Sequence, residues 1–197
     1  DNMGIQQARK ILTRFGFFWG QADAAALKRI FKWEDTIELL KAGPRLHTLQ
    51  GVVKNVIKKL EFDPDTGKFK MELLWYDSGE AEEHLAQLEK SDLPVCWMLV
   101  GYSSGFASYC TSNEIYFVEQ KCRAKGDMIC SAIGKDKASW GPQLKDVIID
   151  FQSEDIRGKI QQLTEQLRKK SAELALQRRH LGLPEKPLKL QAAEVRS

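Results

Sequence analysis

The chain has 197 residues, 43% hydrophobic and 29% charged, which is enough for one good-sized core plus an appendage. Thirty basic against 27 acidic side chains leave a formal net charge of +3, too little for a broad basic field and so no basis for a direct nucleic-acid contact. No apolar run can cross a bilayer and no signal peptide is evident, so the four cysteines read as cytoplasmic thiols or metal thiolates rather than disulfides.

The opening Asp1-Asn2-Met3-Gly4 runs straight into helical sequence, so the chain reads as a fragment that lacks part of its N-terminal region. Ile5, Ala8, Ile11, Leu12 and Phe15 have helical spacing over residues 4–20, with Gly16 and Gly20 as punctuation. A second helix is expected from Ala24 to Leu40 and should stop at Lys41-Ala42-Gly43-Pro44, where glycine suits a cap and proline cannot continue. From Arg45 the period changes. Val52, Val53, Val56 and Ile57 are β-branched, Leu60 and Phe62 flank Glu61, and Phe69, Met71 and Leu73 alternate with Lys68, Lys70 and Glu72, with Trp75 continuing that face. Asp63-Pro64-Asp65-Thr66-Gly67 between them is a turn signal, so this is a β-hairpin.

Ser78 to Leu88 is a polar loop leading into a short helix, and Val95 to Tyr109 is a buried helix. Asn113 to Glu119 is a strand, Cys122 to Cys130 a tight loop, and a short strand follows through Ile133. Trp140-Gly141-Pro142 is expected to end the globular part as a linker. Beyond it Ile160, Leu167, Leu174 and Leu181 recur every seven residues, with Ile156 and Leu163 on the other seam position and Lys170 and Gln177 there later. Arg168, Lys169, Lys170, Arg178 and Arg179 read as the solvated face of that helix. The expected division is 1–77, 78–143, a linker helix over 144–183 and a tether over 184–197.

Glu119-x2-Cys122-x7-Cys130, with Cys96 upstream, is the most informative spacing. Three thiols and a carboxylate supply four anionic ligands, a set that zinc accepts in tetrahedral geometry. Four protein ligands leave no open position, so such a zinc is structural, and no catalytic residue is assigned. Buried free cysteines beside a surface glutamate fit the same spacing. Cys110 falls outside the pattern and reads as a buried free thiol.

Three stretches resemble a known family: Gly43-Pro44-Arg45-Leu46-His47-Thr48-Leu49-Gln50-Gly51-Val52-Val53, Pro94-Val95-Cys96-Trp97-Met98-Leu99-Val100-Gly101-Tyr102, and Glu114-Ile115-Tyr116-Phe117-Val118-Glu119-Gln120-Lys121-Cys122. The first resembles the sensory domain of XylR/DmpR-type, sigma-54-dependent activators of aromatic catabolism. The other two resemble its 4-vinyl-reductase-type half. The resemblance covers roughly residues 4–181 and implies a zinc on Cys96, Glu119, Cys122 and Cys130. It also implies an aromatic effector whose hydroxyl is held by His47 and Trp75. Leu40, Leu49, Leu73, Val100, Phe106 and Phe117 are the wall positions. Phenol sensors of the family have more aromatic walls, so Leu40, Leu73 and Val100 imply a roomier pocket or a bulkier, less polar ligand.

The expected fold is α/β (α+β), a small antiparallel sheet flanked by helices with a structural zinc lobe and a C-terminal coiled-coil linker helix. The implied partners are a second copy of the chain, an ATPase domain that the empty sensor represses, and sigma-54 RNA polymerase. No G-x-x-x-x-G-K-[ST] loop is present, so this chain is not that ATPase. Two other functions fit the sequence less well: an enzyme acting on an aromatic or tetrapyrrole-like substrate, which lacks a cofactor fingerprint and an open metal position, and a zinc-stabilised dimerisation module with no effector.

Overall fold

Two runs of alternating apolar residues, joined by an aspartate turn, set the middle of the fold. In the computed structural model, which describes residues 2–152, 164–174 and 177, they form β1 (Lys54–Phe62) and β2 (Phe69–Tyr76). Asp63 Oδ1 accepts from the Asp65 and Thr66 N–H groups, and Gly67 takes the positive φ that the turn needs. A bulge between Ile57 and Lys59 inserts one residue, so Ile57 and Leu60 face the same side. With β3 (Ile115–Lys121) and β4 (Cys130–Asp136) the strands form one antiparallel sheet in the order β1-β2-β4-β3. The parts 1–77 and 78–143 therefore share a sheet, because β2 pairs with β4.

The helices are α1 (Asn2–Ile30), α2 (Thr36–Leu49), α3 (Gly79–Gln87), α4 (Trp97–Thr111) and α5 (Leu144–Ile148). Two of them depart from the sequence reading. α1 runs through Gly16 and Gly20 without a break. A Cβ on Gly16 would come within 2.2 Å of Met98 O and one on Gly20 within 2.2 Å of Tyr102 O. Reciprocally, a Cβ on Gly101 or Gly105 would meet Thr13 O or Phe17 O at 2.0 or 1.9 Å. Two G-x-x-x-G pairs thus put the α1 and α4 backbones in contact, so these glycines are packing sites rather than breaks.

α2 starts later than expected and passes through Pro44. Asp35 caps it by accepting from the Glu38 N–H at 2.7 Å, while Glu38 Oε2 accepts from the Glu34 N–H at 2.8 Å. Pro44 has no N–H for the Leu40 carbonyl. The helix continues because Gly43 sits under the Phe106 ring, where a Cβ would be 2.8 Å from ring carbon. The true C-terminal glycine is Gly51, at φ +73.

α4 lies against α1, α2 and β3. Ser104 Oγ accepts from the Phe117 N–H at 2.8 Å and Ser108 Oγ from the Ile115 N–H at 2.9 Å. One turn apart on α4, these hydroxyls satisfy outer-edge groups of β3. After β4 the chain does not become a linker at once. Trp140 is buried and donates to Tyr116 O at 3.0 Å, Asp150 pairs with Arg9 at 2.6 Å, and Phe151 meets Phe17 and Tyr116 edge-on. The first compact unit accordingly runs to Gln152, past the expected boundary at 143.

The second unit is Ser153–Ser197. Residues 164–174 and 177 are helical and exposed, with Leu167 and Leu174 at 66% and 59%. The heptad positions Ile156, Ile160, Leu163 and Leu181, and the tether 184–197, lie outside the described residues. Among the described residues no helix is long and apolar enough to cross a membrane.

Candidate functional site: a buried thiol cluster beside an apolar cavity

Cys96, Glu119, Cys122 and Cys130 are all buried, and their candidate ligand atoms lie within 4.8 Å of one another. Each arrives for a local reason. Residues three apart on an unbroken strand point to opposite faces. The irregularity between Glu119 and Lys121 resets that parity, so Glu119 and Cys122 face the same side. Gly126, at φ +97, turns the loop back, and the Cys122 N–H donates to Asp127 Oδ2 at 2.8 Å. Cys130 then opens β4. Cys96 stands just before α4, and its N–H donates to Glu119 Oε2 at 2.9 Å. Glu80 of α3 accepts from the Met98 and Leu99 N–H groups, which fixes the start of α4.

Cys96 Sγ and Cys130 Sγ are 3.6 Å apart. Two ligands at about 2.3 Å from a tetrahedral ion would be about 3.8 Å apart. The cluster is strained electrostatically by itself. Burial, with the Cys122 thiolate beside it, pushes the Glu119 carboxyl up to about 8. Hydrogen bonds from Cys130 and Cys96 hold Cys122 far below the usual thiol range, and those two thiols are pushed up by the same contacts. Glu119 Oε1 is buried without a partner. A cation would take up all four anionic groups at once, so the cluster can hold a metal ion. Cys110 is buried in α4, outside the cluster, and burial pushes its thiol up to about 12.

A second feature lies between the sheet and the helices. Leu40, Gly43, Pro44, Asn55, Met71, Leu73, Tyr102, Ser103, Phe106, Ala107 and Phe117 enclose a cavity with about 10 Å³ of free volume, room for one water. The free space in this structure is small. Met71, Tyr102 and Phe106 fill the space that Leu40 and Leu73 leave. His47 is behind Tyr102, with the ring centroids 3.5 Å apart, and Trp19 packs on both rings. Both His47 ring nitrogens and Trp75 Nε1 are buried and have no hydrogen-bond partner. Burial lowers the His47 pKa to about 4, so the ring is neutral at pH 7.

Four of the expected wall residues, Leu40, Leu73, Phe106 and Phe117, line this cavity. Leu49 does not. It is 85% exposed, because a residue two positions past the inward-facing His47 lies about 200° round the helix. Val100 lines a different, larger cavity of about 220 Å³ together with Arg9, Trp97, Phe117, Asp150 and Phe151. The sequence reading missed Tyr102, Met71 and Asn55. Met71 was legible, since it shares the face of Leu73 and Trp75. The two sites are neighbours: Trp75 pairs directly with Cys130 across β2 and β4, as Leu73 does with Ala132.

Residues 1–63 match the family model described as activator of aromatic catabolism. The phenol regulator MopR of Acinetobacter guillouiae is 33% identical over 153 residues, 78% of this chain and 27% of that protein. The transcriptional regulatory protein XylR of Pseudomonas putida is 32% identical over 139 residues, 71% of this chain and 25% of that protein. The chain thus spans about a quarter of the length of these curated relatives. The crystal structure of the phenol-responsive sensory domain of the transcription activator PoxR, with phenol, superposes with a TM-score of 0.73 at 30% identity, over 78% of this chain and 76% of that one. The α+β fold, the sheet and the matched lengths agree, and the chain belongs to the family of sensory domains of XylR/DmpR-type activators.

Proposed function

We propose that this chain is the effector-sensing domain of a bacterial, cytoplasmic transcription activator, and that its effector is a small aromatic with a ring hydroxyl. The observation that carries the reading is the set of unpartnered polar atoms on His47 and Trp75, beside an otherwise apolar cavity. A neutral imidazole offers one donor and one acceptor, and indole offers a donor only. A phenolic oxygen can donate to the bare imidazole nitrogen and accept from the indole. An aromatic without the hydroxyl would leave those groups unmet, at about 1–3 kcal/mol each. Leu40, Leu73, Phe106 and Phe117 would then hold the ring, with Val100 reached through Phe117, which lines both cavities.

The free volume is too small for a ring, so binding requires the wall to open. Tyr102 is the part of that wall proposed to move: its ring packs on His47 and its hydroxyl donates to Asp23 on α1 at 3.1 Å. Displacing Tyr102 would therefore be felt along α1. The metal on Cys96, Glu119, Cys122 and Cys130 is proposed to be zinc with a structural role, supported by a donor set of three thiols and one carboxylate. In the complete protein the sensor is proposed to act as a homodimer, to repress an adjacent ATPase domain until effector binds, and through it to act on sigma-54 RNA polymerase. The chain senses the effector and does not turn it over. The heptad helix is the proposed connection, through a two-state rearrangement.

Calorimetry of the zinc-loaded chain with phenol, methylphenols, toluene, biphenyl-type aromatics and cyclohexanol tests the reading. Phenols should bind in the micromolar range, and His47→Ala should weaken them at least about tenfold in a chain that still folds, although the cavity it leaves lowers the melting temperature. A folded, zinc-loaded chain that binds none of the panel overturns it.

A further inference from the structure

β1 sets one polar side chain into an apolar column. Asn55, Ile57, Leu60 and Phe62 stand opposite Trp75, Leu73, Met71 and Phe69 of β2, and the bulge after Ile57 keeps all four on one face. The β2 partners are buried, at 3% exposure or less. On such a face a valine or isoleucine is the residue that packs best. Asn55 instead lines the cavity with Leu40, Leu73, Tyr102 and Phe106, and its side-chain Oδ1 is buried with no hydrogen-bond partner. Its backbone N–H is already used, donating to Thr48 Oγ1 at 3.0 Å.

Trp75, whose Nε1 is a donor, is the residue directly across the strand pair. Cross-strand neighbours have Cβ atoms about 4.5–5.5 Å apart. Yet the indole donor and the amide acceptor do not meet, and each is buried and unpartnered. An acceptor held this way destabilises the closed domain and is repaid only when a donor arrives. The cavity lining thus carries one buried, unpartnered acceptor of its own, separate from the unpartnered atoms of His47 and Trp75.

We infer that Asn55 is a third polar contact for the effector, its Oδ1 accepting from a second hydrogen-donating substituent on the ring. The preferred effector class is then an aromatic with two such groups, a dihydroxybenzene or an aminophenol, rather than a ring with one hydroxyl. The inference rests on the aromatic-effector reading above.

The test is calorimetry of the zinc-loaded chain and of Asn55→Val with phenol, catechol, resorcinol and hydroquinone. At least one dihydroxybenzene should bind the parent about tenfold more tightly than phenol, and Asn55→Val should erase that gain, so that the dihydroxybenzene-to-phenol ratio falls to about one. Asn55→Val should also melt higher, because it removes an unmet acceptor and adds a β-branched residue to a strand; Asn55→Ala gives the same ligand comparison without added bulk. The same ligand ranking in parent and variants, as a bound water on Asn55 would produce, overturns the inference alone. So does a parent that prefers phenol to every dihydroxybenzene. No binding of any of the four by the folded parent overturns the aromatic-effector reading and this inference with it.

Discussion

His47 shows how much one enclosed side chain constrains the domain. It is 1% exposed, packed between Trp19 and Tyr102, and burial holds its pKa near 4. The unfolded chain takes up that proton near pH 6.5. The neutral ring therefore costs nothing above pH 6.5, and stability falls as the pH drops from there towards 4, by on the order of 3 kcal/mol. Thermal melts between pH 7.5 and 4.5 should show a steeper acid loss for the parent than for His47→Leu. Acid lability from the thiol cluster is common to both proteins and cancels in the comparison. Equal slopes would show that His47 titrates as an open residue. At this scale the sequence was informative where a motif carried the residue, as for His47 and the cluster ligands. It failed where facing decides. Leu49 sits in the same motif as His47 and points the other way, and Asn55 looked like any polar residue on a strand until the bulge at Ile57 placed it on the inner face.

Among the elements, the α1–α4 pair makes the sharpest prediction. Alanine gains about 1 kcal/mol over glycine in a helix interior. At Gly105 the added Cβ would overlap Phe17 O at 1.9 Å, and both partners are backbone, so the helices must separate. Gly105→Ala should lower unfolding free energy by at least about 2 kcal/mol despite its better propensity. Gly4→Ala, where nothing lies within 4 Å, should be neutral or stabilising by up to about 1 kcal/mol. Denaturant melts of both variants decide, and a stabilised Gly105→Ala would mean the helices are not in contact there. The elements were legible wherever period alone determines them: the hairpin, α3, α4 and β3 lie close to their expected places. Most of the errors involve glycine or proline read as punctuation. Gly16, Gly20, Gly43 and Pro44 are kept inside helices by tertiary contacts that no local window contains. The cap that does separate α1 from α2 was present as Asp35 and Glu38 and went unread.

For the whole molecule, the thiol cluster joins α4, β3 and β4 at one point, and Arg123 extends it to Glu82 of α3 at 2.6 Å. Without a metal the cluster is three buried thiols and a carboxylate in mutual conflict, and the binding free energy of the proposed zinc would be folding free energy. Elemental analysis should find one zinc per chain, and Cys122→Ser or chelation should lower the melting temperature by at least about 10 °C. A variant that melts with the parent would remove the structural role. The fold class was legible because the hairpin and the helical periods are local, whereas the strand order was not, since nothing in β2 announces that its second partner is β4. That order has a consequence for synthesis. The β1–β2 hairpin can close as soon as Tyr76 has emerged, but the other edge of β2 stays bare until β4 is made. Trp75 meets Cys130 only then, so the second pairing of β2 and the thiol cluster come into being in a single late event, and a nascent chain that stalls before Cys130 has neither.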